Sequence, residues 1–363
     1  MDDMKLLLVE DNKDDQQVCK NAVDDFNEDN SEFKIILKIC GTVEEAEKQL
    51  KTSDFDGVII DMKLTDTGTD EGNQVIRKIK ENFNRIPVVI MTGTPSVAER
   101  NDFPLIAICN KGDIQYCQII EKFRNIYHTG LTRIMGGRGV IEQTLTTIFT
   151  NNLLPALTNS LSEQRGWIKY AESDPARTEK ALLRYAINHL LQYLDNDVSQ
   201  CYPEEMYILP PINDRINTGC ILKKKGSDQY YIVMNPACDL AERSNGGCNT
   251  DHALLVEIQS IRDIYPDFDW SSLSKSNRKD LEKIYRNNKS LYYHWLPETD
   301  FYPGGVINFR RVSTYTEADV DNLFESPQIQ ISSPFLKDMI SRSSSYYARQ
   351  GQPDIDITTV TGN

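Results

Sequence analysis

Long apolar runs are missing from this 363-residue sequence, in which no stretch reaches about 18 consecutive apolar residues, the minimum for a membrane-spanning helix. The chain starts directly on an apolar, strand-like segment and shows no signal-peptide pattern. Its eight cysteines are few for a chain of this length, and several fall inside predicted strands or helices, so no disulfide framework is indicated. They include no closely spaced C-x-x-C pair of the kind found in common zinc sites. We therefore expect a cytoplasmic protein with reduced thiols and no membrane partner.

Basic residues are also scarce. Lys and Arg number 40 against 54 Asp and Glu, which gives a formal net charge of -14. The acidic excess is present on both sides of residue 127. Proteins that bind the phosphate backbone of nucleic acids need a positively charged surface. The charge balance, together with the lack of a helix-turn-helix pattern, predicts no nucleic-acid partner.

What the N-terminal third does contain is a set of polar residues placed directly after apolar runs. Glu10 and Asp11 follow the first such run, Asp61 and Thr92 each end another, and Lys111 comes after the last. Segments of helical periodicity separate these runs, as in a doubly wound α/β sheet. The carboxyl ends of parallel strands face one crevice. We therefore expect the five side chains to meet there.

These residue types together indicate phosphoryl transfer. Three crowded carboxylates repel one another, and a hard cation such as Mg²⁺, which prefers oxygen ligands, relieves that repulsion. One carboxylate can then attack a phosphoryl group, while a hydroxyl and an ammonium bind the phosphoryl oxygens. Asp61 is the best candidate for the nucleophile because it alone ends the middle strand of the set.

The pattern resembles the receiver domain of two-component response regulators over about residues 1–127. The resemblance implies a five-stranded parallel sheet and a histidine kinase or phosphotransfer protein as partner. It implies that Asp61 is the phosphoacceptor, that Glu10 and Asp11 are the acidic metal pair, and that Asp61 and the backbone carbonyl of Lys63 are further Mg²⁺ ligands.

The resemblance also implies that Thr92 is the switch hydroxyl and Lys111 the phosphoryl-binding lysine. The sequence departs from the family near the last strand. Ile108 replaces a commonly aromatic switch residue, and Gly112 replaces the usual proline after the lysine. Aromatic gating is therefore not expected in this chain.

Beyond residue 127 the sequence resembles no family that we recognise. Residues 128–200 predict a helical linker or α-hairpin, which packs on the receiver or pairs with a copy of itself. Residues 201–363 predict an α+β output module with a small antiparallel sheet, including a hairpin formed by 220–222 and 230–234. Two short elements are also expected in this module, a strand over 306–309 and a terminal helix over 335–348.

A second candidate site is indicated by Cys238, Asp239, Cys248 and His252. Cys238 with a histidine could form a nucleophile and base, and the two thiols with His252 could bind zinc. The spacing matches no common zinc motif, so the favoured interpretation is a buried structural Cys238 beside an Asp239 that caps a turn.

The sequence thus predicts a phosphorelay response regulator that takes a phosphoryl group at Asp61 and signals by contact with a protein, which can be a second copy of the chain. Two alternatives are open. One is a receiver-gated enzyme with its active site near Cys238. The other is a pseudo-receiver scaffold, in which the ammonium of Lys63 replaces the metal.

Overall fold

The chain divides into two units, Met1–Asp197 and Val198–Asn363, in a computed structural model. The structure describes residues 2–65, 71–81, 85–93, 96, 98, 105–136, 139–161, 166–195, 200–212, 214–243, 247–349 and 351. No helix among these residues is long and apolar enough to cross a membrane. The division into 1–127, 128–200 and 201–363 stays a prediction.

The N-terminal unit is built on a five-stranded parallel sheet in the order β2-β1-β3-β4-β5. Its strands are β1 (Met4–Val9), β2 (Ile35–Cys40), β3 (Gly57–Ile60), β4 (Val88–Thr92) and β5 (Leu105–Asn110). This is the second common order of doubly wound sheets, in which ligands bind where the strand order reverses. The predicted α/β class and strand number are confirmed, and β3 is the middle strand.

Helices cover both faces of this sheet. They are α1 (Lys13–Asp29), α2 (Val43–Thr52), α3 (Glu71–Glu81) and α4 (Tyr116–His128). Alternate residues of β1, β3 and β4 enter opposite cores, one packed with α2 and α3 and the other with α1 and α4. Gly57 lets α4 approach closely, because a Cβ there would lie 2.4 Å from the Phe123 ring.

Two polar caps set the starts of α1 and α2. The side chain of Asn12 accepts from the backbone N–H groups of Asp14 and Asp15, and Thr42 accepts from the N–H of Glu45. Each cap satisfies donors that the first helical turn leaves free. Acidic residues in the same turns also interact favourably with the positive ends of the helix dipoles.

Further helices follow α4 in the N-terminal unit, interrupted by a π-helical stretch. They are α5 (Leu131–Met135), α6 (Val140–Ile148), the π-helical stretch Phe149–Leu153, α7 (Leu154–Leu161), α8 (Trp167–Ser173) and α9 (Pro175–Asp195). Helix α9 packs against α6 and α8. The helical character predicted for this segment is therefore present.

The C-terminal unit contains a seven-stranded antiparallel sheet in the order β10-β11-β9-β8-β7-β12-β6. The strands are β6 (Tyr207–Ile208), β7 (Cys220–Lys223), β8 (Tyr230–Val233), β9 (His252–Gln259), β10 (Tyr293–Leu296), β11 (Gly305–Thr316) and β12 (Ile329–Ile331). The sheet is larger than the small sheet predicted. The β7–β8 hairpin is present as expected, and the strand expected over 306–309 is the start of a 12-residue strand.

Helices and two apolar clusters complete this unit. The helices are α10 (Ala237–Leu240), α11 (Ile261–Ile264), α12 (Lys275–Tyr285), α13 (Glu317–Leu323) and α14 (Ser333–Tyr347), and a 3-10 turn spans Pro203–Met206. One cluster contains Met339 of α14 and the other contains Val320 of α13. The unit therefore has a core of its own, as an α+β module requires.

Candidate functional site

The five predicted site residues lie together at the carboxyl edge of the parallel sheet. Glu10 and Asp11 follow β1, Asp61 follows β3, Thr92 is the last residue of β4, and Lys111 follows β5. Backbone hydrogen bonds continue the sheet past its strand ends, from Asp61 N–H to the Val9 carbonyl (2.9 Å) and from Lys111 N–H to the Thr92 carbonyl (3.0 Å). The carboxyl ends therefore converge as the sequence predicted.

The ammonium of Lys111 lies at the centre of the pocket. Its Nζ is 2.7 Å from Glu10 Oε2, 2.7 Å from Asp15 Oδ2 and 2.9 Å from Asp61 Oδ2. An ammonium has three N–H donors. Lys111 thus bonds three carboxylates at once, from the β1 end, the first turn of α1 and the β3 end.

Burial makes this charge arrangement energetically significant. Glu10 is 1 % exposed and Asp61 is 7 % exposed. Burial raises the pKa of Glu10 to about 7, against the opposing hydrogen bond from Lys111. Burial alone would lower the pKa of Lys111, but its hydrogen bonds with Asp15, Glu10 and Asp61 raise that pKa above the usual range. The lysine is therefore positively charged at neutral pH.

The two oxygens of Asp61 have different partners. Oδ1 accepts from the backbone N–H of Met62 at 2.7 Å, and Oδ2 accepts from Lys111. The start of α3 presses against the same backbone, because a Cβ on Gly72 would lie 2.6 Å from the Asp61 carbonyl oxygen. The carboxylate of Asp61 is therefore held in place from both sides.

The donor set of the pocket fits a hard divalent cation. Oxygen atoms of Glu10, Asp11 and Asp61 lie within 4.8 Å of one another, and these residues form the one such group of metal-ligating side chains found in the described part of the chain. Carboxylate oxygens suit Mg²⁺. Lys63 lies two residues beyond Asp61, with its N–H 3.5 Å from Asp61 Oδ1. The role of its carbonyl as a ligand stays a prediction.

Asp15 is the site residue that strand-end reasoning missed. It lies in the first turn of α1, where Asn12 accepts from its backbone N–H at 3.3 Å. A sequence signal existed, since an Asn cap after β1 places the next acidic residues at the start of a helix that begins over the carboxyl edge. What the sequence did not give was which side of α1 faces Lys111.

The second candidate site is dispersed. Cys238 and Asp239 lie in α10, whereas Cys248 lies between α10 and β9 and His252 begins β9. The thiols and the His252 imidazole do not come within 4.8 Å of one another as a metal-binding group. Cys248 and His252 line a pocket of about 380 Å³ with Arg215, whereas Cys238 and Asp239 do not line it.

The expectation of a buried Cys238 is wrong. Its side chain is exposed, and its Sγ lies 3.7 Å from Asp239 Oδ1. The strand β8 ends at Val233, so Cys238 lies past the sheet on the short helix α10. Asn249 contacts this helix, because its side chain donates a hydrogen bond to the Cys238 carbonyl at 2.8 Å.

No family model matches the chain, and no curated protein matches it in sequence. Among solved structures, the N-terminal domain of a response regulator/sensory box/GGDEF protein from Carboxydothermus hydrogenoformans is 21 % identical. It aligns over 35 % of this chain and 98 % of that domain, with a TM-score of 0.29.

Two further solved structures have similar values. The receiver domain of a sensor histidine kinase from Pseudomonas aeruginosa, with a magnesium ion in its active site cleft, is 16 % identical over 34 % of this chain and 96 % of that one (TM-score 0.27). A response regulator from Thermotoga maritima in complex with Mg²⁺-BeF is 17 % identical over 34 % and 98 % (TM-score 0.28).

The strand order β2-β1-β3-β4-β5, with carboxylates, a hydroxyl and a lysine at its carboxyl edge, is the doubly wound order that the resemblance to receivers predicts. Thr92 is 1 % exposed at the end of β4. Ile108 packs against the core on the α2–α3 side. The position at which the resemblance implies an aromatic side chain therefore holds a partly buried aliphatic one.

Proposed function

We propose that this protein is a response regulator whose receiver accepts a phosphoryl group at Asp61 from a histidine kinase or a phosphotransfer protein. The observation that carries the proposal is the pair of contacts from Lys111 to Asp61 and Glu10 in one buried pocket. An ammonium that reaches the nucleophile also reaches the oxygens of a phosphoryl group on it.

The reaction follows from these positions. A carboxylate oxygen of Asp61 forms the new P–O bond while the bond from phosphorus to the donor nitrogen of a phosphohistidine breaks. The electron pair leaves with the imidazole. Lys111 then donates to the phosphoryl oxygens, and we assign the hydroxyl of Thr92 the same role from β4. Movement of the loops after β4 and β5 would carry the signal.

Glu10, Asp11 and Asp61 would hold Mg²⁺, with the Lys63 carbonyl as a further ligand. The bound ion would neutralise charge on the pocket and on the transferred phosphoryl group. This assignment is supported by the grouping of the three carboxylates. A cytoplasmic location remains a prediction.

Intact-mass measurement after incubation of the full chain with a small acyl or amidophosphate donor and Mg²⁺ tests the proposal. We expect one added phosphate, none in the Asp61→Asn variant, and normal uptake in the Asp14→Asn variant, since Asp14 is exposed in the first turn of α1. Equal uptake by Asp61→Asn and the parent contradicts the assignment. A parent that takes up no phosphate favours the pseudo-receiver alternative.

For the output we infer that the chain signals by protein contact and that α9 pairs with α9 of a second copy. Leu183, Ile187, Leu190 and Leu194 recur at spacings of four, three and four residues, as in a coiled-coil seam. Leu183 is 61 % exposed and Leu194 is 50 % exposed. Thr178 is the buried residue of this 21-residue helix.

The surface around the seam suits a contact between identical copies. Leu191 and Tyr193 extend the exposed apolar surface of α9, and Phe149 and Leu154 are exposed in the segment between α6 and α8. Exposed apolar side chains grouped on one helix are typical of a protein interaction site. Arg184 is the one Lys, Arg, Asp or Glu between 181 and 194, so little charge opposes a symmetric contact.

Light scattering of the full chain across a concentration series measures this self-association. We expect a dimer that Ile187→Asp converts to a monomer, because a carboxylate would enter the apolar seam. Asn188→Asp changes charge at the neighbouring exposed position and should leave the dimer intact. A monomeric parent, or equal dimer stability in the two variants, contradicts the pairing. The apolar face of α9 would then be a contact surface for a different protein.

A further inference from the structure

All three N–H donors of Lys111 are engaged in the pocket. One of the three acceptors, Asp15, is not among the site residues predicted from the sequence. Asp15 Oδ2 lies 2.7 Å from Nζ, as close as Glu10 Oε2. A phosphoryl group on Asp61 presents new oxygens to the same ammonium. Because an ammonium has three N–H groups, Lys111 must release an existing acceptor before it can bind one of these oxygens.

Burial indicates which bond is released. The side chain of Asp15 is 35 % exposed, compared with 1 % for Glu10 and 9 % for Asp61. An exposed carboxylate regains water when its ion pair opens, whereas a buried carboxylate is left unpaired at a larger cost. Separation of Lys111 from Asp15 is therefore the least costly of the three.

We propose that Asp15 is a positioning residue that holds Lys111 in the unphosphorylated pocket and competes with the phosphoryl group for its ammonium. This inference rests on the proposed phosphoacceptor role of Asp61. The competition also has a direct electrostatic part, since the Asp15 carboxylate lies beside the lysine that the phosphoryl oxygens must approach and repels them.

The local structure keeps Asp15 in this place. Asn12 caps α1, and its own N–H donates to Glu10 Oε1 at 3.1 Å. Gln16 donates from Nε2 to the Glu10 carbonyl at 2.6 Å. The first turn of α1 is thus hydrogen-bonded to Glu10, one of the carboxylates of the pocket. Asp15 is carried by that turn and is not a freely moving surface carboxylate.

Beryllofluoride with saturating Mg²⁺ serves as the phosphoryl probe, and calorimetry of the full chain measures its affinity. We expect Asp15→Asn to bind the probe about threefold to tenfold more tightly than the parent, the range for loss of a partly exposed ion pair and its repulsion. Asp14→Asn makes the same charge change one residue away and should match the parent. Asp15→Glu keeps the carboxylate and should remain close to the parent.

Two further readouts separate competition from a structural role. The difference between Asp15→Asn and Asp14→Asn should shrink at high salt, because a partly exposed ion pair is screened. The acyl phosphate formed by a small donor should also decay more slowly in Asp15→Asn, since Lys111 stays on the phosphoryl oxygens.

The possible failures are distinguishable. A parent that binds no beryllofluoride and takes up no phosphate contradicts the proposed function itself. A parent that binds the probe, with Asp15→Asn no tighter than Asp14→Asn at low salt, overturns the role of Asp15 alone.

Discussion

The acidic pocket of the N-terminal unit and the Cys238 region of the C-terminal unit were both predicted from reactive residue types, and they differ in how the chain presents them. In the first, Glu10 and Asp61 are buried and bonded to one ammonium. In the second, Cys238 and Cys248 are exposed, and each thiol contacts a residue of α10, Cys238 the side chain of Asp239 and Cys248 the carbonyl of Leu240.

The difference teaches which sequence patterns predict proximity. Parallel strands run in one direction, so the residues after their carboxyl ends meet at a common edge whatever the connections between them. Cys238, Cys248 and His252 instead lie within or at the end of the single connection between the antiparallel strands β8 and β9, so the path of that connection, and not the sheet, decides whether their side chains meet. Reactive residue types therefore predict a site only where the topology also forces convergence.

The largest effect that would sharpen this comparison is expected from Lys111→Met. Removal of the ammonium leaves buried carboxylates without their partner, which should lower the free energy of local unfolding at β1 and β3 by about 3 kcal/mol. Mg²⁺ should restore part of that loss. Hydrogen exchange of the two strands with and without Mg²⁺ measures it.

Lys63→Met is the matched control, since it removes the same charge at an exposed position beside the pocket. We expect this substitution to change the free energy of local unfolding at β1 and β3 by no more than about 0.5 kcal/mol. If Lys63→Met destabilises the strands as much as Lys111→Met does, the ammonium of Lys63 neutralises the pocket and the pseudo-receiver hypothesis gains support.

A second effect concerns a buried titratable group of the C-terminal unit outside the Cys238 region. His294 is 3 % exposed, and neither ring nitrogen has a hydrogen-bond partner among the described residues. Burial and the charge of Arg342 lower its pKa to about 4. The unfolded chain therefore binds the proton first as pH falls below the ordinary value near 6.5, so stability present above that pH is lost toward pH 4.

The free energy of unfolding of the C-terminal unit should therefore fall by about 2 kcal/mol between about pH 7 and pH 5. Urea denaturation, followed by Trp295 fluorescence in a background with the other two tryptophans replaced by Phe, measures it. His294→Leu should flatten this pH dependence, whereas His252→Asn at an exposed position should not. An unchanged slope in His294→Leu would mean that other groups control the acid response.

The third prediction uses the pKa of Glu10 near 7. Protonated Glu10 cannot act as a carboxylate ligand, so Mg²⁺ must displace a proton below that pH. The apparent Mg²⁺ affinity should rise about tenfold from about pH 6 to pH 8. Calorimetry in two buffers of different ionisation enthalpy measures the affinity and the released proton. A pH-independent affinity with no proton release would exclude Glu10 as a titrating ligand.

The sequence predicted the parallel sheet of the N-terminal unit more completely than the antiparallel sheet of the C-terminal unit. The receiver strands and the order of their terminal residues could be predicted because continuous apolar runs mark buried parallel strands. The approach of Asp15 to Lys111 could not, since it depends on how the first turn of α1 is oriented over the sheet. Local spacing fixes the face of a helix but not the neighbour that this face meets.

In the C-terminal unit the strand β11 shows why the prediction was incomplete. Only 306–309 read as a strand, because Arg310 and Arg311 interrupt the apolar pattern. The strand continues through them with a shift of register against β9 between Ile307 and Val312. An irregularity of this kind places exposed polar residues inside a strand. Alternation of apolar and polar residues therefore underestimates its length.

The smallest effect is expected from Cys238→Ser, and it tests whether the dispersed region has chemistry of its own. Because the Cys238 side chain is exposed, a hydroxyl in its place loses no buried contact, and stability should change by less than about 0.5 kcal/mol. Elemental analysis of untagged protein should find no stoichiometric zinc, since the two thiols and His252 are not grouped. About one zinc per chain, lost in both Cys238→Ser and Cys248→Ser, would mean that the loops close around a metal that organises them, because metal-binding energy can act as folding energy. In that case convergence in this unit would come from a ligand instead of from topology, and the enzymatic alternative would return.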